Sequence, residues 1–194
     1  MTQKSRAHFE KKEPYLENIL RNWRYRKIIP FIPENARLLD LGCGYDTKLL
    51  KKCYHKISSG IGIDITVDKS FSDDKIRLLS HNLNSPLLFP ENEFDAITSL
   101  AILEHLDEPG KALEEMFRVL KPGGVLLLTT PSVSGKPVLE FLTFVGLVSQ
   151  QEVRDHKNYF DKKTLLEYCE KTGFSSCKHK YFQLGMNNFL LAIK

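Results

Sequence analysis

The chain has 194 residues, of which 42% are hydrophobic and 27% charged, as is usual for one globular domain with a sizeable core. This composition excludes disordered and fibrous proteins. The formal net charge is +4, and the excess lies at one end, because residues 1–30 contain eight basic and three acidic side chains. We therefore expect a basic N-terminal segment, and a solvated helix face explains it better than a surface for nucleic acid or membrane.

Cysteines and hydropathy exclude several further classes. The four cysteines are Cys43, Cys53, Cys169 and Cys177, and none of their spacings matches a redox pair or a zinc-ligand pair. We expect reduced thiols and no metal site. No signal-peptide pattern and no 18-residue apolar segment occurs in the chain, so we expect a cytoplasmic protein without a transmembrane segment.

The first third predicts a helix, a strand, a helix and a strand. Apolar residues recur at helical intervals from Tyr15 to Ile28, and the run stops at Pro30. The compact apolar run 36–41 predicts a buried strand closed by a glycine turn. Helical spacing returns over 49–57, and the short apolar run 59–65 predicts a second strand.

The middle of the chain repeats this alternation. Strands are predicted at 76–80, 94–100 and 125–130, with an amphipathic helix over 112–120. The apolar runs are continuous rather than alternating. Such runs are typical of a parallel sheet covered by helices on both faces.

The last third predicts a helix and a hairpin. Asp161 is the expected N-cap of a helix that Gly173 ends, with Phe160 and Leu165 as a hydrophobic staple. Two apolar runs, 177–183 and 188–193, follow. We expect them to form an antiparallel hairpin at one edge of the sheet.

The turn after the first strand is the candidate ligand site. In parallel α/β sheets ligands bind at the carboxyl ends of the strands, and Gly42 and Gly44 stand there. Asp64 lies 20 residues beyond Gly44, where a carboxylate can accept both hydroxyls of a ribose. Asp40 and Asp46 would repel a pyrophosphate by about 1–4 kcal/mol each. A cationic adenosine ligand, S-adenosylmethionine, therefore suits the turn better than NAD.

The motifs resemble those of class I S-adenosylmethionine-dependent methyltransferases, in particular the methyltransferase type 11 family. The resemblance covers the chain from about Trp23 onwards. It rests on five segments in the order of the family, which are Leu38-Leu39-Asp40-Leu41-Gly42-Cys43-Gly44, Gly62-Ile63-Asp64-Ile65, Phe94-Asp95-Ala96-Ile97, Leu103-Glu104-His105-Leu106 and Arg118-Val119-Leu120-Lys121-Pro122-Gly123-Gly124.

The resemblance implies a set of cofactor-binding residues. Asp40, Gly42 and Gly44 would line the methionine portion, Asp64 would hold the ribose, Ile65 would pack on adenine, and Leu100 would contribute backbone. Cys43, Asn82 and Leu83 complete the predicted S-adenosylmethionine site. Two residues depart from the family pattern. Asp46 replaces the usual third glycine, and Asn82 stands where an aspartate often accepts from the adenine amino group.

The implied architecture is a Rossmann-like, doubly wound, seven-stranded mixed sheet with a C-terminal antiparallel hairpin. We expect a helical arm at 1–30 and a methyltransferase domain at 31–194. The expected reaction is methyl transfer to a small-molecule or lipid-linked acceptor, for which alignment and exclusion of water suffice. The sequence leaves the acceptor and the oligomeric state undetermined.

Two alternatives stay open. One is a NAD-type oxidoreductase on the same fold, which Asp46 and the missing third glycine disfavour. The other is a cofactor-binding partner subunit without catalytic activity. Nucleic acid is not an expected acceptor, because Ser99-Leu100-Ala101-Ile102 stands where a base-binding Asn-Pro-Pro-Tyr motif would follow the fourth strand.

Other residues are assigned to the rim of the site. We expect the arm to fold over the cofactor, with Arg24 or Arg26 near the methionine carboxylate and Trp23 covering the pocket. Glu104 and His105 are expected either to cap the following helix or to contact substrate. The segment 137–159, rich in apolar residues, is expected to form the acceptor side. Its apolar residues could instead cover the core or a partner subunit.

Within that segment, His156 is the candidate catalytic residue. Its imidazole is expected to take a proton from an acceptor hydroxyl, and Tyr159 to orient that acceptor. A purely structural histidine is the alternative.

Overall fold

The computed structural model describes residues 15–147 and 155–194. Within these ranges the helices are α1 (Tyr15–Ile28), α2 (Lys48–Cys53), α3 (Pro109–Val119), α4 (Lys136–Phe144) and α5 (Lys162–Thr172). The strands are β1 (Ala36–Leu41), β2 (Ile57–Asp64), β3 (Ile76–Ser80), β4 (Phe94–Leu100), β5 (Leu120–Pro131), β6 (Ser176–Phe182) and β7 (Asn187–Ile193).

All seven strands form one mixed sheet in the order β3-β2-β1-β4-β5-β7-β6. The first five strands are parallel, and β7 runs antiparallel to both β5 and β6. The predicted seven-stranded sheet and its C-terminal hairpin are confirmed. After β3 the chain returns to place β4 beside β1, so the order reverses between these two strands. A crevice opens at their carboxyl ends, which is where such sheets bind ligands.

The core lies on both faces of the sheet. Leu39, Leu41 and Ile97 pack on one face under α3 and α5, in the same buried cluster as Leu113 and Leu165. The opposite face carries a second cluster, in which strand residues Leu38, Ala96 and Leu127 meet Ile28 of α1 and Leu49 of α2. Burial on both faces explains why the strands read as continuous apolar runs.

The end of α2 differs from the sequence prediction, whereas the start of α5 agrees with it. The helix predicted over 49–57 ends at Cys53, because Ile57 begins β2 and pairs with Ala36, where its side chain is buried. Sheet pairing thus outweighs its helical spacing. Asp161, in contrast, caps α5 as predicted by accepting a hydrogen bond from the Thr164 amide at 2.8 Å.

The N-terminal helix is anchored to the far end of the chain. Leu20, Tyr25 and Ile28 are buried. The Leu20 carbonyl accepts a hydrogen bond from Gln183 Nε2 at 2.7 Å, and Gln183 Oε1 accepts one from Asn187 Nδ2 at 2.7 Å. Gln183 lies in the β6–β7 connection and Asn187 begins β7, at the carboxyl edge of the parallel strands. Helix α1 therefore lies over that edge. No helix in the described ranges has the length and apolar character needed to cross a membrane.

Gly62 on β2 provides a test of the packing between β2 and Cys43 in the turn after β1. A Cβ at Gly62 would lie 2.9 Å from Cys43 Sγ and 2.8 Å from Leu78 Cδ2. We expect Gly62→Ala to lower the free energy of unfolding by about 1–3 kcal/mol through overpacking. The double variant with Cys43→Ala should be more stable, by at least about 0.5 kcal/mol, than the sum of the two single effects predicts. Urea denaturation of the wild type and the three variants measures this coupling energy. Strict additivity of the two substitutions would contradict this packing.

Candidate functional site

A cavity of about 320 Å³ opens at the carboxyl ends of β1, β4 and β5. Helix α1 forms one wall, with Arg21 and Arg24. The turn after β1 supplies Gly42, the end of β4 supplies Leu100, and His156 from the segment before α5 also lines the cavity. Three predicted site residues, Gly42, Leu100 and His156, thus meet in one cavity.

The glycine turn lies against strand β2. The amides of Gly42 and Cys43 both donate to the Ile63 carbonyl, at 2.8 and 3.0 Å. Gly44, with φ of +70°, donates its amide to Asp64 Oδ2 at 2.9 Å. A direct hydrogen bond therefore joins the turn to Asp64, the residue predicted to bind the ribose.

The two glycines serve different purposes. A Cβ at Gly42 would lie 2.0 Å from Ile102 Cδ1, whereas a Cβ at Gly44 would meet nothing within 4 Å. Of the two, only Gly44 has open space where a Cβ would stand. At Gly42 the Ile102 side chain occupies that space, although Gly42 still lines the cavity, and its contact with the methionine portion stays a prediction.

Cys43 contributes its backbone rather than its thiol. Its side chain is buried in the core against Gly62. Burial and the nearby carboxylates of Asp40 and Asp64 raise the pKa of the thiol well above its usual range. Any role of Cys43 in cofactor binding must therefore pass through its main chain. All four cysteines are free thiols, as predicted.

Asp40 is a buried carboxyl group next to the turn. It is 2% exposed, and the Thr98 hydroxyl donates to its Oδ1 at 2.7 Å. Burial raises the pKa of Asp40 to about 7, the Thr98 hydrogen bond opposes this, and the charge of Asp64 adds to it. A cation bound nearby would favour the ionised form.

The predicted adenosine-binding residues lie outside this cavity. Ile65 is 72% exposed, and it follows Asp64 at the end of β2. Asn82 Oδ1 accepts from the Asn84 amide at 3.0 Å, so its carbonyl is already used in a local turn. Leu83 lines a neighbouring cavity of about 400 Å³ on the α3 side. The structure therefore separates the predicted residues into two groups.

Asp46 does not stand alone in the turn, because its carboxylate forms an ion pair with Lys48 at 3.0 Å. The following residue, Thr47, is buried and has a left-handed backbone with φ of +48°. The turn therefore forms without a third glycine, with Asp46 paired to Lys48 and Thr47 in the left-handed conformation.

Helix α1 presents arginines, not its tryptophan, to the cavity. Arg24 lines it as predicted, one helical turn after Leu20. Trp23 is 44% exposed and lies with Arg26 on a different part of the helix surface. The expectation that Trp23 covers the pocket is wrong, because a shift of one residue turns a side chain by about 100° around a helix.

Glu104, His105 and His156 form a cluster that spacing does not predict. One candidate ligand atom from each lies within 4.8 Å of the others. The amides of Lys157 and Asn158 both donate to the Glu104 carbonyl, at 2.8 and 3.0 Å, and this brings His156 to the turn after β4.

Glu104 is buried, and its Oε2 accepts from the Thr130 hydroxyl at 2.9 Å. The expected capping role for Glu104 or His105 is wrong. Helix α3 has Glu108 at its N-cap position, without a side-chain hydrogen bond.

His156 is a neutral imidazole at physiological pH. Burial first, and then the charges of His105 and Arg24, lower the pKa of His156 to about 4. Its Nδ1 lies 3.2 Å from the Tyr159 hydroxyl. The ring is therefore suited to offer a lone pair, but a group with so low a pKa holds a proton only weakly.

The apolar segment after β5 only partly covers the core. In α4, Leu139 is buried and lines the cavity, whereas Phe141 is 62% and Phe144 is 86% exposed. Residues 148–154, which include Arg154 of the predicted acceptor segment, lie outside the described ranges. Core cover is therefore not the explanation for Phe141 and Phe144.

Comparison with known proteins points to one family. The chain matches the family model described as "Methyltransferase domain" over residues 7–178. It is 26% identical over 189 residues to the demethylmenaquinone methyltransferase of Clavibacter sepedonicus, covering 84% of this chain and 76% of that protein. It is 29% identical over 128 residues to the sterol 24-C-methyltransferase erg6 of Aspergillus fumigatus, covering 61% of this chain and 34% of that protein.

The fold also matches a solved structure. The S-adenosylmethionine-dependent methyltransferase of Archaeoglobus fulgidus aligns with a TM-score of 0.68 and 20% identity, covering 90% of this chain and 93% of that one. At this identity the match establishes the fold alone.

The buried carboxyl of Asp40 predicts a specific pH dependence of stability. Because its pKa is raised in the folded state, its contribution is fully present below about pH 4 and is lost as the pH rises through about 7. Relative to Asp40→Asn, the wild type should lose roughly 1.4 kcal/mol of unfolding free energy per pH unit over much of this window. Urea denaturation at several pH values measures the difference, and parallel pH profiles of the two proteins would contradict it.

Proposed function

Since this chain belongs to the methyltransferase-domain family, we propose that it transfers a methyl group from S-adenosylmethionine to an apolar small-molecule or lipid-linked acceptor. The observation that carries the proposal is the open face of Gly44, whose amide is bound to Asp64, in the same glycine turn that supplies Gly42 to the cavity lined by Arg24. Bound there, the cofactor supplies a methyl group that its sulfonium has already activated.

The residues present fit S-adenosylmethionine. Asp64 uses one oxygen for the Gly44 amide, and its other oxygen, which has only a 3.5 Å contact to the Thr66 amide, is left for a ribose hydroxyl. Exposed Ile65 offers an apolar surface to adenine. The Arg24 guanidinium would bind the methionine carboxylate, and buried Asp40 would favour the positive charge of the amino group.

The chain contributes alignment and exclusion of water. Helix α1 covers the carboxyl edge of the sheet and is fixed there by the Gln183 bond to Leu20. Ile102, Leu139 and Met186 give the cavity apolar walls. Holding donor and acceptor in line in such an enclosure is the main requirement for methyl transfer.

The cavity indicates the kind of acceptor. Next to its apolar walls lies Asn187, which is 3% exposed, and whose Oδ1 has no hydrogen-bond partner among the described residues. A buried carbonyl without a partner favours a ligand that donates a hydrogen bond. We infer an acceptor with an apolar body and at least one hydroxyl or amine. The names of the two relatives, which refer to sterol and menaquinone chemistry, agree with an apolar body.

His156 would accept a hydrogen bond from the acceptor hydroxyl, with Tyr159 beside it. Its pKa of about 4 favours hydrogen bonding over full proton removal. Some further means of stabilising a deprotonated acceptor is therefore needed if the reacting group is an oxygen.

Asp64 provides the first test of the cofactor site. Asp64→Asn keeps an oxygen for the Gly44 amide but removes the charge, so binding of S-adenosylhomocysteine should weaken about 10- to 100-fold. Asp74→Asn, on an exposed residue, is the matched control and should bind normally. Calorimetry measures both. Unchanged affinity in Asp64→Asn, or tighter binding of NAD than of S-adenosylhomocysteine by the wild type, would contradict the proposal.

Arg24 provides a second test that is specific to the carboxylate. Arg24→Gln should weaken S-adenosylhomocysteine binding about 10-fold or more but leave binding of 5′-methylthioadenosine, which lacks the carboxylate, nearly unchanged. Arg26→Gln, on the exposed side of the same helix, should change neither affinity. Equal losses for both ligands would show that Arg24 supports the fold of the site instead.

A further inference from the structure

The cavity contains a set of side chains that methyl transfer from S-adenosylmethionine does not itself require. Glu104 and His105 come from the turn after β4, and His156 comes from the segment before α5. We propose that these three residues bind one divalent transition-metal cation of the zinc type.

The donor set is that of known open metal sites. Two imidazoles and one carboxylate bind catalytic zinc and leave a further position for water or substrate. The three ligand atoms lie within 4.8 Å of one another. Ligand atoms about 2.0–2.2 Å from one cation lie roughly 3–3.5 Å apart, so binding requires only a small inward movement of the side chains.

Each of the three side chains is already held by a second group. Thr130 donates to Glu104 Oε2 at 2.9 Å. The Nδ1 atom of His105 faces the Asp155 carbonyl at 3.1 Å, which requires a proton on Nδ1 and leaves the lone pair on Nε2. His156 Nδ1 lies 3.2 Å from the Tyr159 hydroxyl. Such outer contacts, which orient each ligand through its other polar atom, are typical of metal sites.

The second oxygen of Glu104 is an independent indication of a ligand. The residue is fully buried, and Oε1 has no hydrogen-bond partner among the described residues. A buried carboxylate oxygen without a donor is costly. A cation between Glu104 and the two imidazoles would satisfy it.

Two arginines, Arg21 and Arg24, line the cavity, and their positive charges oppose the cation. The positive charge of Arg24 acts on both Glu104 and His156. Removing this charge should therefore tighten metal binding, whereas the same substitution should weaken binding of the cofactor. This opposite response separates a metal site from a general loss of structure.

A cation held by Glu104, His105 and His156 would lie in the cavity where the acceptor is proposed to bind. It would draw a lone pair from an acceptor oxygen and lower the pKa of that hydroxyl, so that its proton passes to solvent before methylation. This role rests on the proposed function and narrows the acceptor to one with an ionisable oxygen, such as a phenol or an enol. The binding of the cation itself does not depend on it.

The test uses the untagged, full-length chain and Zn²⁺ alone, in competition with a chromophoric chelator. We expect one equivalent to bind, and Co²⁺ in its place should show the visible bands of a four- or five-coordinate site. Glu104→Gln, which keeps the Thr130 bond, and His156→Ala should each weaken Zn²⁺ binding at least about 10-fold. His55→Ala, on an exposed histidine, is the control and should bind like the wild type.

Three results would overturn the proposal. These are no stoichiometric binding, binding that survives both Glu104→Gln and His156→Ala, or weaker rather than tighter binding in Arg24→Gln. Thermal unfolding with and without Zn²⁺ checks that the variants fold, because a bound metal raises the melting temperature only when its site is intact. S-adenosylhomocysteine binding, measured separately without metal, tests the proposed function alone, so failure of one does not imply failure of the other.

Discussion

The site depends on how closely the turn after β1 lies against β2. The amides of Gly42 and Cys43 share one carbonyl of β2, and the Gly44 amide binds the carboxylate that ends it. This contact requires Gly62 to lack a side chain where Cys43 packs, and Gly42 to lack one where Ile102 lies. The position of Asp64, the open face of Gly44 and the course of the chain after β4 all follow from it.

Burial gives the site its electrostatic character. Asp40 and Glu104 are acids withdrawn from water, and desolvation raises the pKa of each. Perturbed carboxyl groups in a cavity are characteristic of functional sites, because a ligand of opposite charge can recover the energy lost on burial. The two acids lie at different places, one beside the glycine turn and one after β4, which agrees with two separate cationic ligands. Arg24 lines the same cavity as Glu104, and its positive charge disfavours the binding of further cations there.

Much of the fold was predictable because local signals and packing agree. Continuous apolar runs predict strands buried on both faces, and the Asp161 cap and Gly173, whose φ is +100°, mark the ends of α5. The proximity of the glycine turn to Asp64 was predictable, because β1 and β2 are parallel neighbours and their carboxyl ends therefore lie side by side. Ile57 was misassigned because its helical spacing and its place in β2 conflict, and only the pairing with Ala36 decides between them.

The acceptor side was less predictable, because long-range contacts build it. His156 stands 51 positions beyond His105, and two backbone hydrogen bonds to the Glu104 carbonyl bring the segments together. No periodicity or spacing encodes such bonds. Trp23 was misplaced for a related reason, since the helix pattern is clear but the direction of the arm over the sheet depends on the Gln183 contact. The roles assigned to Asn82, Leu83 and the domain division at residue 30 remain predictions.

The most direct measurement is a crystal structure of the full chain with S-adenosylhomocysteine. The account predicts the ribose hydroxyls on Asp64, adenine over Ile65, the carboxylate on Arg24, and the sulfur facing the cavity that Glu104, His105 and His156 share. Nucleoside density in the neighbouring cavity on the α3 side with Asp64 unliganded, or a carboxylate remote from Arg24, would contradict it.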